Sequence, residues 1–160
     1  VLAADDGLSA LKPNCGAALV TAGQIASPDL RIRLFEQIEE LGFERPVVIS
    51  PHAHVSSHAI IGEGTIVMHG AIVNAGARIG KNCIINSRAL VEHDTAVADH
   101  CHVSTGALLN GDCRMGEGSF IGSGAVIREG IALGKRCVVG MGINVRTGLE
   151  DHTRLTKHTF

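Results

Sequence analysis

The sequence has no tryptophan, no tyrosine and only four phenylalanines among 160 residues. An interior built with so few rings is one too thin to hold them. No apolar run approaches the roughly eighteen residues that a membrane span needs. The net charge is −2 and there is no basic cluster, which argues against nucleic acid as a partner. Five cysteines are present without a CxxC pair. An odd count with no signal segment points to a reducing, cytoplasmic setting and away from a disulfide framework or a redox or metal motif.

What the sequence does contain is a repeat. From Val55 to Val145 every sixth residue is aliphatic, sixteen times without a skip. Six is neither 3.6 nor 7, so the run is not a helix. It is a multiple of two, which suits short strands turning at fixed intervals. With the aliphatic residue as slot one, slot five is small through the first twelve hexads, from Ala59 to Ala125. Slots one and five share parity, so a large and a small residue both face inward and fill a narrow tube. Cys83, Cys101, Cys113 and Cys137 fall in slot five, where they read as small apolar residues. Slot four is the corner. Glycine holds it nine times, and Asn82, Asp94, Asp112, His58 and His100 take most of the rest, all types that tolerate positive φ. Arg88 and Arg136 are the exceptions. The expectation is a parallel β-helix. With three hexads to a coil it has eighteen residues per turn, a little over five turns in the run, and a height of about 25 Å at roughly 4.8 Å per strand.

Residues 1–50 read differently. Ala17 to Ala22 suits a buried strand, ending at Gly23. Ser27, Pro28 and Asp29 start a helix whose apolar face is Leu30, Leu34, Ile38 and Leu41, and Gly42 stops it. Val47 to Ile49 suits a second strand. This β-α-β pattern is expected to be the C-terminal part of a small α/β substrate-binding domain, with an upstream strand, loop and helix preceding Val1. Residues 51–150 would be the β-helix and residues 151–160 a tail.

Nine histidines invite a search for chemistry. His52, His54 and His58 suit a polar junction at the solenoid entry, His69 a surface position, and His152 and His158 a solvated tail. Glu92-His93-Asp94 and His100-Cys101-His102 remain. A histidine flanked by carboxylates at a coil corner suits a general base, since the carboxylate raises its basicity and fixes its tautomer; an exposed polar corner is the alternative. Zinc is the rival chemistry, as in γ-class carbonic anhydrases on the same architecture. Those need a His pair five apart, and Ala98 occupies that place after His93. A non-catalytic scaffold or ice binder is a third reading, but ice binders of this shape carry repeated outward Thr pairs, which this chain lacks. Gly111 lies eighteen residues after His93 and so stacks above it, leaving room and an exposed N–H. Thr105, Ser123 and Met141 form another column.

The hexads resemble the hexapeptide-repeat acyltransferases. Within them, an α/β unit before the repeat, together with Ile85-Asn86-Ser87, Val91-Glu92-His93-Asp94 and His102-Val103-Ser104, resembles one family. It is that of the sialic-acid O-acetyltransferases and UDP-4-amino-sugar (bacillosamine-pathway) N-acetyltransferases. The resemblance covers about residues 15 to 145. It implies a mainly β fold, a left-handed β-helix preceded by part of a nucleotide-sugar-binding α/β domain, and a homotrimer. It implies acetyl-CoA as co-substrate, no metal, and transfer to the amine or hydroxyl of a sugar, with a nucleotide-linked amino sugar for surface glycan synthesis as the favoured acceptor. Carried over, His93 is the general base and Asp94 its acidic partner. Gly23, Asn86 and Glu92 contact the acceptor, His102 the thioester carbonyl, and Gly111, Ser123 and Met141 the CoA side. The family's Gly-x-Pro-Ala-Lys-type segment is absent after Glu150, which leaves Arg114, Lys135, Arg136 and Arg146 as generic phosphate candidates. Two expectations concern assembly. The many apolar slot-six residues, Ile72, Leu90 and Leu108 among them, call for a subunit interface. His93 and His102 are half a circuit apart, on the order of 15 Å at about 3.3 Å per residue, so they would meet only between subunits.

Overall fold

The computed structural model describes residues 7–156. Each hexad contributes a two-residue strand made of slots six and one, and strands eighteen residues apart pair in parallel, as His102 does with Ile84 and Phe120. Three sheets result, with seven, six and five strands. The first sheet runs through Ile66–Val67, Ile84–Ile85, His102–Val103, Phe120–Ile121 and Val138–Val139. The second runs through Ile72–Val73, Leu90–Val91, Leu108–Leu109 and Val126–Ile127. The third holds Arg78–Ile79, Ala96–Val97 and Arg114–Met115. The β-helix expectation is met.

The tube is filled by slots one and five. Val67, Val73, Ile85, Val91, Val103, Leu109, Ile121 and Ile127 are buried, with Ala71, Ala77, Ala89 and Ala107 between them. Slot five also takes Thr, Ser and Cys because each donates to a carbonyl in the wall. Thr65 Oγ1 reaches Gly80 O at 2.8 Å, Thr95 Oγ1 reaches Asn110 O at 3.0 Å, and Cys113 Sγ reaches Arg128 O at 3.0 Å. A buried hydroxyl or thiol with a partner carries no desolvation penalty to speak of.

The corners explain slot four. Asn82, Asp94, His100 and Asp112 have φ between 51 and 59°, beside eight of the slot-four glycines. Arg88 and Arg136 adopt the same conformation, with φ of 58 and 53°. They break the residue pattern but not the backbone pattern. A left-handed non-glycine residue costs about 1–2 kcal/mol. The offset is local, because every such corner N–H donates to the coil before it, as Arg88 does to His69 O at 3.0 Å and Arg136 to Glu117 O at 2.8 Å.

Three sequence expectations change at the ends. Val48–Ile49 does not close a β-α-β unit. It pairs with Ile66–Val67 as the first strand of the solenoid, because Ile49 sits one hexad before Val55 and continues the repeat. Ala17 to Ala22 is an extended segment joined to Glu44 by one parallel bridge at Ala17, not a regular strand. Finally, Arg154–Leu155, expected in a tail, is the last strand of the first sheet, paired with Val138–Val139. The offset there is sixteen residues, as it is for Leu133 and Leu149, so the last coil is two residues short. Cys137 records the same shortening: its thiol donates to Glu150, thirteen residues on, where Cys113 spans fifteen. His152 takes a corner with φ 62°, whereas His158 lies outside the described residues.

The short helix α1 (Leu8–Leu11) and the helix α2 (Asp29–Glu40) precede the solenoid. Ser27 Oγ accepts the Asp29 N–H at 3.1 Å at the start of α2, and Gly42 follows its end with φ 72°. The buried face is Arg31, Phe35 and Ile38, rotated from the expected stripe, and Leu30 is 48% exposed. Phe35 and Ile38 form a small second core with Val20 and Phe43.

Candidate active site

The corner after the second sheet carries Glu92, His93 and Asp94. His93 Nδ1 lies 3.0 Å from Asp94 Oδ2, and both side chains are exposed. A carboxylate only accepts, so Nδ1 holds the proton and Nε2 presents a free lone pair. Asp94 raises the His93 pKa above the ordinary 6.5, chiefly through this hydrogen bond, and the charges of Asp94, Glu92 and Asp112 add to it. Glu92 does not point away: its Oε2 accepts from the His93 N–H at 3.2 Å and from Asn74 Nδ2 at 2.8 Å. Asn74 was missed in the sequence reading, although it stands eighteen residues before Glu92 and the register alone would have found it.

Gly111 has a sharper reason than room for a ligand. A Cβ there would lie 2.7 Å from both Cε1 and Nε2 of His93. The glycine makes room for the imidazole itself. Its N–H donates to no group among the described residues, so a donor and the free Nε2 sit side by side on adjacent coils.

The second cluster lies on the first sheet. A cleft of about 420 Å³ is lined by Leu19, Thr21, Gly23, Ile66, Met68, Ile84, Asn86 and His102. It brings together Gly23, Asn86 and His102, three of the expected site residues, and it does not include His93. His102 is buried. Its Nδ1 is 2.7 Å from Gln24 O and its Nε2 is 3.1 Å from Asn86 Nδ2. A carbonyl can only accept, so Nδ1 carries the proton and Nε2 accepts from the amide. Burial lowers the His102 pKa, which keeps the ring neutral. Both ring nitrogens of His102 are thus engaged within the chain, Nδ1 with Gln24 and Nε2 with Asn86. Asn86 Oδ1 meanwhile accepts the Ser87 N–H at 2.7 Å, so both ends of the amide are oriented and one N–H remains to face the cleft. Gln24 carried no signal in the sequence.

The third column is open. Ser123 Oγ lies 3.0 Å from Ser104 Oγ, and Met141 is 75% exposed. Of the cationic candidates, Lys135 faces Glu117 at 3.5 Å and Arg136 faces Asp29 at 2.7 Å. Arg146 shares a cleft with Asn110 and Arg128 below Gly111, and Arg114 stands on the third sheet. His52 and His69 approach with ring centroids 5.9 Å apart. No three His, Cys, Asp or Glu side chains among the described residues gather where a metal ion could be held.

Known proteins share this fold. A family model described as the hexapeptide repeat of succinyl-transferase matches residues 114–146. No curated protein matches the chain. Among solved structures, the acetyltransferase domain of PglB from Neisseria gonorrhoeae FA1090 in complex with acetyl coenzyme A is 34% identical, with a TM-score of 0.91 over 96% of this chain and 74% of that one. PerB from Caulobacter crescentus, in complex with CoA and GDP-perosamine, is 34% identical, with a TM-score of 0.87 over 92% of this chain and 70% of that one. This chain belongs to that family of hexapeptide-repeat sugar acetyltransferases.

It is therefore an acyltransferase with a left-handed β-helix. A second structure of the PglB domain matches at 37% identity and a TM-score of 0.79 over 81% of this chain, which spans 63% of that one. Among the described residues no helix is long and apolar enough to cross a membrane.

One expectation follows for a general base at this corner. A base works deprotonated, so a His93 acting as one, with its pKa raised by Asp94, would place the acidic limb of kcat/KM above the ordinary imidazole value. Asp94→Asn keeps a side chain that tolerates the left-handed corner but removes the charge. The limb then moves to lower pH and the plateau falls. A pH–rate profile that does not move would mean that Asp94 does not tune the base.

Proposed function

We propose that the protein transfers acetyl from acetyl-CoA to the primary amine of a nucleotide-linked amino sugar, with His93 as general base. The observation that carries this is the His93 corner: Nδ1–H held by Asp94, Nε2 free, and Gly111 opposite. His93 Nε2 takes a proton from the amine as its nitrogen attacks the thioester carbonyl. The Gly111 N–H is available to the oxygen that gains negative charge. When the carbon–sulfur bond breaks, His93 returns the proton to the departing thiolate, which leaves an amide and CoA. The PglB domain was solved with acetyl coenzyme A and PerB with CoA and GDP-perosamine, and both support these two substrate classes.

The cleft around Asn86 and His102 holds the acceptor in this reading, and Ser123 and Met141 line the path of the pantetheine arm. Cleft and base lie on different corners of one chain. Between them runs the second sheet, whose outward row contains Ile72, 40% exposed, with Leu90, Leu108 and Val126 half-buried. A homotrimer packed on such apolar surface brings the His93 corner of one chain to the cleft of the next. The five cysteines are free thiols, which fits a cytoplasmic enzyme.

Acetyl-CoA is mixed with GDP-perosamine, a UDP-linked 4-amino sugar or sialic acid, and the product is read by mass spectrometry. An N-acetylated nucleotide sugar is expected. Acetylation of a sialic acid hydroxyl alone would overturn the amine assignment, and no transfer to any of the three would overturn the acceptor class. Light scattering should return a trimer, and a monomer would remove the basis for a shared site.

A further inference from the structure

Arg31 is the largest fully buried side chain among the described residues. Among the described residues no carboxylate pairs with it. Its partners are amide dipoles on two separate parts of the chain. Nη1 donates to Val20 O at 3.1 Å and to Ala22 O. Nη2 donates to Asn82 O at 3.2 Å and Asn82 Oδ1 at 2.6 Å. Asn82 answers through Nδ2, which lies 3.2 Å from Arg31 O and 2.9 Å from His100 Nδ1. A guanidinium taken out of water is costly unless its donors are used; here both Nη groups are spent on a wall and a corner, while the buried Nε has no partner among the described residues.

The wall is the one that faces the cleft. In an extended segment alternate residues point opposite ways. Leu19, Thr21 and Gly23 line the cleft, and the carbonyls of Val20 and Ala22, between them in the same segment, accept from Arg31. Residues 19–23 make no backbone–backbone hydrogen bond among the described residues. No sheet ladder therefore sets their distance from Ile84, Asn86 and His102 on the opposite side.

We propose that Arg31 is a positioning residue for acceptor binding: its fork ties the Leu19–Gly23 wall to the Asn82 corner of the solenoid and so sets the width of the cleft. This rests on the cleft being the acceptor site. Arg31 touches no substrate, and the His93 corner is on another sheet, so the effect is on acceptor affinity and not on the chemical step.

Two variants of the full chain test it. Arg31→Lys keeps the charge, but one ammonium cannot span the four acceptors. Asn82→Gly suits the corner, where φ is 51°, and removes the side-chain half of the anchor. With GDP-perosamine as acceptor, KM for the acceptor should rise about tenfold in Arg31→Lys while kcat and the KM for acetyl-CoA hold. Asn82→Gly should shift it in the same direction by less. Limited proteolysis supplies a readout that needs no activity. Cleavage within residues 19–24 should become roughly tenfold faster, with the solenoid strands as resistant as before. If Arg31→Lys does not fold, Asn82→Gly is read by both measurements. An unchanged acceptor KM, a uniform loss of kcat, or cleavage that is unaltered or faster everywhere would overturn the proposal. If wild type acetylates no nucleotide-linked amino sugar, the proposed function fails, and proteolysis alone decides whether Arg31 holds the wall.

Discussion

His93→Ala should lower kcat by about 10²–10⁴ and leave the Kd for acetyl-CoA near its wild-type value. The side chain is exposed and makes one hydrogen bond, to Asp94, so its loss costs the fold little. The loss falls on the proton. An ammonium is not a nucleophile, and without Nε2 the amine must shed its proton to water as it attacks. The variant should also lose the acidic limb of its pH–rate profile, because the group that titrates there has gone. Wild-type turnover across neutral pH, or an acidic limb that persists in place, would remove His93 from the role of base. Mixed assemblies extend the test. His93→Ala chains co-expressed with Asn86→Ala chains should regain part of the lost activity if the two side chains serve one cleft from neighbouring subunits. Persistent inactivity in verified mixed trimers would place both in a single chain's site.

Gly111→Ala should be the most damaging conservative change in the solenoid for activity, lowering kcat by about 10², with little change in Tm. Gly111 is outside the left-handed region, so alanine carries no backbone penalty there. The added methyl would stand 2.7 Å from His93 Cε1 and Nε2, which are the far end of a side chain free to swing outward. The fold yields cheaply and the base does not stay in place. The contrast with Gly116 makes the point. A Cβ at Gly116 would meet the backbone of Gly134 at 2.4 Å, and backbone cannot swing aside, so Gly116→Ala should lower Tm through overpacking. Parallel losses of Tm and kcat in Gly111→Ala would show the glycine to be a packing residue and nothing more.

The sequence by itself determined the solenoid. A six-residue period with alternating large and small inward slots fills a narrow tube, and the slot-one core from Val67 to Val145 was legible in it; Ile84, Phe120 and Val138, expected outward in slot six, are buried too. Local chemistry was legible too. Glu92, His93, Asp94 and Gly111 are related by adjacency or by the eighteen-residue coil, so counting places them together. Counting also places Asn74 one coil below Glu92.

At the N-terminal end the count itself runs on: Ile49 stands one hexad before Val55, and the carbonyls of Thr65 and Val67 accept the Val48 and Ser50 N–H groups. The C-terminal end was decided by a pairing that periodicity does not encode. Arg154–Leu155 joined after a two-residue deletion that breaks the count. Only the tertiary structure decided the state of His102. Its hydrogen-bond partners, Gln24 O and Asn86 Nδ2, come from different units of the chain, seventy-eight and sixteen residues away. Together they engage both ring nitrogens, and neither contact is visible in the spacing of the sequence. Arg31 is the extreme case. As a charged residue on a helix of mixed composition it reads as solvent-facing. It is buried because four oxygens from two distant segments converge on its fork, and convergence of that kind is a property of the folded chain, with no trace in spacing.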